Sequence, residues 1–167
     1  MVLSYLHKIG WFIGLVLLQV LILNNVHIAG CATPFLYVYL ILKFESDAPR
    51  NALMLWAFFL GLMVDIFSDT PGMNAAAAVL LAFMRPVLLR LFVPRDMVES
   101  IVPAIRTMGM SPFLKYVSAG VLIHHGMLLL MEFFSLSAWA MLVVRIFTST
   151  LLTVGCIIAM DGVSRRR

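Results

Sequence analysis

The longest uncharged stretch of the chain sets its solvent. From Ile9 to Leu42, 34 residues pass without an acidic or basic side chain, His27 counted as neutral. A single helix of that length extends about 51 Å, whereas the hydrocarbon core of a bilayer is about 30 Å thick. The run has to turn, and Asn24-Asn25 is its most polar dipeptide. Two helices are expected, over about residues 3–23 and 27–42.

The remainder repeats the pattern. Apolar residues make up 63% of the chain and charged residues only 12%, against roughly a quarter charged in a soluble domain. After a polar loop, Lys43 to Arg50, a third helix is expected from about Asn51 to Phe67. Ser68-Asp69-Thr70-Pro71-Gly72 reads as a turn with a helix start built in: Asp69 or Thr70 as the cap, Pro71 at the first helical position. A fourth helix then runs to about Val93, a fifth from Pro112 to Phe134 and a sixth from Leu136 to Met160. The fold class expected is an all-α membrane protein, one polytopic domain over residues 1–167 with about six transmembrane helices.

Charge placement orients the bundle. With the N-terminus inside, Lys8, Lys43, Arg50, Arg90, Arg95, Arg106, Lys115, Arg165, Arg166 and Arg167 all fall on the inner flanks, and the outer loops carry no basic residue. Both termini are then cytoplasmic, and the net charge of +4 is accounted for by topology rather than by nucleic acid. Ile28-Ala29-Gly30-Cys31 has the form of a lipoprotein processing box. The chain stays apolar to Leu42 beyond it, so processing is not expected. Cys31 and Cys156 are isolated and read as small core residues. In the longest inner loop, Asp96 and Glu99 have capping-box spacing, and Met97, Val98, Ile101, Val102 and Ile105 form an apolar stripe. With Pro103 in the way of a long helix, the expectation is a short element in the headgroup region.

Polar groups inside the spans carry the functional information, because an ionisable side chain there costs about 2.5–3.5 kcal/mol and normally finds a partner. Gly61, Asp65 and Asp69 fall on one helical stripe, and Gly61 leaves room for a second backbone. Arg85 is expected to snorkel toward the cytoplasm. Arg145 lies too deep for that, with Asp65 or Glu132 as the candidate partner, in an ion pair that fixes packing or in a ligand or proton site. His124 and His125 are neighbours about 100° apart around a helix, so they cannot both face one metal or haem. No nucleophile with a base, no HExxH and no phosphate-cradling loop occurs, so neither an enzyme nor a cofactor is expected.

One segment carries a resemblance. Gly61-Leu62-Met63-Val64-Asp65-Ile66-Phe67, then Ser68-Asp69-Thr70-Pro71-Gly72-Met73-Asn74-Ala75, resembles the segment typical of the MreD family of rod-shape-determining proteins. The resemblance implies a non-enzymatic subunit of the cell-elongation complex in the bacterial cytoplasmic membrane, similar in fold to the substrate-binding subunits of energy-coupling-factor transporters. It further implies binding to MreC, a single-span protein, and through it to MreB filaments, RodA and a penicillin-binding protein. Gly61, Asp65, Pro71 and Gly72 are the motif positions: close packing, an interior polar contact and the outer turn. The alternative is a vitamin- or metabolite-binding transporter subunit, with an outer pocket of Asp65, Asp69, Glu132 and Arg145.

Overall fold

A computed structural model describes residues 2–23, 33–93, 101–132 and 139–164. The Asn24-Asn25 turn, Cys31, the Asp96–Glu99 box and Arg165 to Arg167 lie outside the described residues. Those described are helical and carry no strand: α1 (Val2–Leu21), α2 (Val38–Leu42), α3 (Arg50–Ser68), α4 (Met73–Phe92), α5 (Ile105–Met108), α6 (Met110–Glu132) and α7 (Trp139–Ser164). Four helices are long and apolar enough to cross a membrane, within α3, α4, α6 and α7, and Ile9–Leu21 forms a shorter apolar helix. The chain is therefore a membrane protein built from helices.

The bundle is organised around α4, which packs against α3 on one side and α6 on the other, while α7 packs on α6 and α1 on α3. Small residues make that centre tight: Ala75, Ala77, Ala78 and Ala82 are all buried on α4. A Cβ added at Gly61 of α3 would lie 2.5 Å from Ala75 Cα and 2.6 Å from Asn74 O, so the α3 and α4 backbones meet there in the close approach that glycine allows. Exposed apolar side chains cover the outside, among them Phe67 on α3 and Leu151 on α7. In lipid that exposure carries no penalty.

The second helix departs from expectation. In place of a helix through residues 27–42, the described part is non-helical from Thr33 to Tyr37 and helical only from Val38. Pro34 supplies the reason: it has no N–H to donate and disfavours helical geometry at Thr33. The backbone groups so released are taken by side chains. Ser149 accepts the Thr33 N–H at 3.2 Å, Thr153 that of Phe35 at 3.1 Å, and Gln19 that of Leu36 at 2.9 Å. Gln19 also donates to the Pro34 carbonyl at 3.0 Å. Irregular backbone inside a bundle persists only with its polar groups satisfied in this way.

The loop between α4 and α6 holds the short element expected there, α5. Ile101 and Ser46 bond reciprocally, Ser46 N–H to Ile101 O at 2.9 Å and Ile101 N–H to Ser46 Oγ at 3.0 Å. Pro103 and Met108 are buried. These bonds tie the described part of the loop to the Lys43–Arg50 loop, and the helix it carries is held to four residues, with Pro103 just before it.

Candidate functional site

Two buried polar centres lie in the bundle, and the first is built on Asp65. Near the end of α3, its carboxylate reaches across the turn to the start of α4. Oδ1 accepts the Asn74 N–H at 3.0 Å, the Asn74 side-chain amide at 2.9 Å and the Thr70 hydroxyl at 2.5 Å; Oδ2 accepts the Ala75 N–H at 2.8 Å. The cap of α4 is therefore Asp65, not Asp69 or Thr70, and α4 begins at Met73, after Pro71 and Gly72. A carboxylate at a helix N-terminus satisfies orphan amides and meets the positive end of the dipole. The turn suits it: Asp69, the residue closing α3, has φ 53°, and Gly72 has φ 78°. Asp69 and Pro71 are exposed.

From Asp65 the bonding runs inward with a fixed direction. The Asn74 amide gives its N–H to Asp65, so its Oδ1 faces the Tyr37 hydroxyl at 2.9 Å and accepts from it. The Tyr37 proton being used there, His124 Nε2, 2.7 Å from the same oxygen, is the donor. This places the His124 proton on Nε2 and leaves Nδ1 a bare acceptor, buried and with no partner. His125 takes the other tautomer. Its Nδ1 donates to the Val121 carbonyl at 2.8 Å and its Nε2 accepts from Thr153 at 3.3 Å, the threonine that also holds the Phe35 amide. Phe35 packs on both histidines, with ring centroids 6.1 Å from His124 and 5.1 Å from His125.

The second centre lies toward the opposite end of α4. Arg85, 1% exposed, does not snorkel. Its guanidinium donates to the carbonyls of Phe44 and Glu45 and, at 3.1 Å, to Tyr116 Oη, while the Tyr116 hydroxyl donates to Leu42 O at 2.9 Å. The carbonyls at and beyond the end of α2 are what hold it, and cations favour that end of a helix. Beside it Asp161 of α7 accepts from Lys43 at 2.5 Å, Tyr39 at 3.2 Å and the Ile105 N–H at 2.9 Å. Burial alone lowers the Lys43 pKa, but its bonds to Asp161 and Tyr39 outweigh that and hold it above the ordinary lysine value. Arg50 donates to Phe83 O at 3.0 Å, in the turn of α4 that Pro86 interrupts.

The residues expected to form an outer pocket do not converge. Asp65 is closed within its turn, Asp69 and Glu132 are exposed and Arg145 is half-buried on α7. Asp65 directs both oxygens to Thr70 of the turn and to Asn74 and Ala75 of α4. Sequence reading did not single out Gln19, Tyr37, Asn74, Thr153 or Asp161. Gln19, alone in an apolar run, carries the same signal that marked Asp65, whereas Asn74 and Thr153 stand close to other polar residues and carry none of their own. Among the described residues no cluster of three His, Cys, Asp or Glu could hold a metal. No family model, curated protein or solved structure matches the chain.

Proposed function

We propose that the chain is a non-enzymatic scaffold subunit of a cell-elongation complex, of the MreD type, that binds the transmembrane helix of an MreC-like partner. On this reading it is a six-span protein of the bacterial cytoplasmic membrane with both termini cytoplasmic. MreB filaments, RodA and a penicillin-binding protein are reached through the partner. The resemblance of residues 61–75 is what supports the family reading; the observation that supports helix docking is on α1. Gly10 and Gly14 are both exposed, and a Cβ added at either would meet nothing within 4 Å. Spaced four apart, they share one face of the helix with exposed Leu17 and Leu21. A G-x-x-x-G face turned to lipid lets a second helix approach to backbone distance, the main source of association where apolar burial drives little.

Gly61 and Asp65, by contrast, are used up inside the chain, so the motif builds the scaffold rather than the docking face. The experiment is capture of partners from native membranes by the tagged protein, solubilised in detergent. Gly10→Leu with Gly14→Leu is expected to abolish recovery of the single-span partner while leaving insertion and the unfolding temperature unchanged. Undiminished recovery would remove α1 as the docking face, and recovery of transporter ATPases in place of wall-synthesis proteins would overturn the reading.

A further inference from the structure

The bare nitrogen of His124 points to a second role, independent of the scaffold reading. Buried acceptors without partners are rare in folded proteins, and each calls for a group to satisfy it. Here the lone pair is a consequence of the whole chain of bonds from Asp65: Asn74 faces Tyr37 with its oxygen, Tyr37 donates to it, and His124 donates to Tyr37. Nδ1 lies on the ring edge away from Tyr37. The His124 ring itself is packed by Tyr37, with ring centroids 5.3 Å apart, His125, at 5.5 Å, and Phe35, at 6.1 Å.

We propose that this ring cluster is a closed binding site for a small, neutral, planar molecule carrying an N–H or O–H group, with Phe35 occupying the place of its ring. The donor is required by the bare lone pair. Neutrality follows from the lining: the one charged group in the bonded chain is Asp65, whose two oxygens are both engaged. A metal is excluded by the neighbouring ring, since both nitrogens of His125 are bonded. Phe35 is suited to act as the plug. It is half-buried, it belongs to the non-helical segment Thr33–Tyr37, and side chains of α1 and α7 hold that segment's amides where a helical ladder otherwise would. In secondary transporters, discontinuous backbone within the helical bundle is where ligands bind.

The test uses the full chain in detergent with ¹⁵N-labelled histidine, titrated with indole and with benzofuran, which match in shape but differ in the N–H donor. A bare imidazole nitrogen resonates well apart from one that carries or accepts a proton. The free protein is expected to show one bare Nδ1 signal that His124→Phe removes. Indole should move that signal and bind at least about fivefold tighter than benzofuran. Thr153→Val, which unties the Phe35 amide, should lower the indole concentration needed for half the response. Absence of a bare nitrogen in the wild-type protein overturns the proposal. So does a signal that indole leaves unmoved up to its solubility, or equal binding of the two probes.

Discussion

Asp65 and Gly61 sit one helical turn apart and do different work on the same neighbour. Gly61 sets how near α4 can come, and Asp65 supplies the acceptors that its first amides need once they are there. Asp65→Ala strands two N–H groups and the Asn74 amide at once, a loss of about 2–4 kcal/mol. Asp65→Asn should recover only part of it, since an amide cannot accept on both sides. Gly61→Ala is expected to cost about 1–3 kcal/mol, because the atoms its methyl meets are backbone and cannot turn aside. Reversible unfolding in mixed micelles measures all three, and an Asp65→Ala protein as stable as the wild type would remove the capping account.

At the scale of elements, the least regular one ties the rest together. α2 has five residues, too few to be stable alone, yet its ends are bonded to α1, α4, α6 and α7. Its beginning is held by neutral amide and hydroxyl groups and its end by a buried cation. Arg85→Met takes the guanidinium away from the Phe44 and Glu45 carbonyls and from Tyr116 and should cost about 2–4 kcal/mol. Arg85→Lys should rescue little, because one ammonium cannot span what the planar fork reaches. If lysine restores full stability, the carbonyls need charge and not the fork. The departure of residues 33–37 from the expected helix was written in Pro34, but its partners were not. Gln19, Ser149 and Thr153 come from helices remote in sequence, and a pattern along one chain does not report what stands across a bundle.

Over the whole molecule, helices α3, α4, α6 and α7 were legible because span length and charge content are one-dimensional properties. Asp65 was legible as a buried acid for the same reason. Its assignment to Arg145 failed because depth along a helix says nothing about azimuth, and Arg85 was misread because the carbonyls beside it are invisible in a residue list. Asp161 needed only the cost argument already applied to Asp65. Sidedness is the expectation that still rests on charge placement, and two exposed positions decide it. In a Cys31→Ser, Cys156→Ser background, Asp69→Cys is expected to react with a membrane-impermeant maleimide in intact cells, and Lys115→Cys only after permeabilisation. Reaction of both from the same side would break the threading, and the opposite pattern would reverse it.

Asp65 precedes the two backbone amides that satisfy it by nine and ten positions. Inserted by itself, α3 would therefore carry its acid into lipid without the α4 amides that match it. A chain ending short of Asn74 would leave that carboxylate with the Thr70 hydroxyl alone, an ionised group largely unmatched in hydrocarbon. The helical hairpin Arg50–Phe92, rather than either helix, is then the smallest piece the insertion machinery can release.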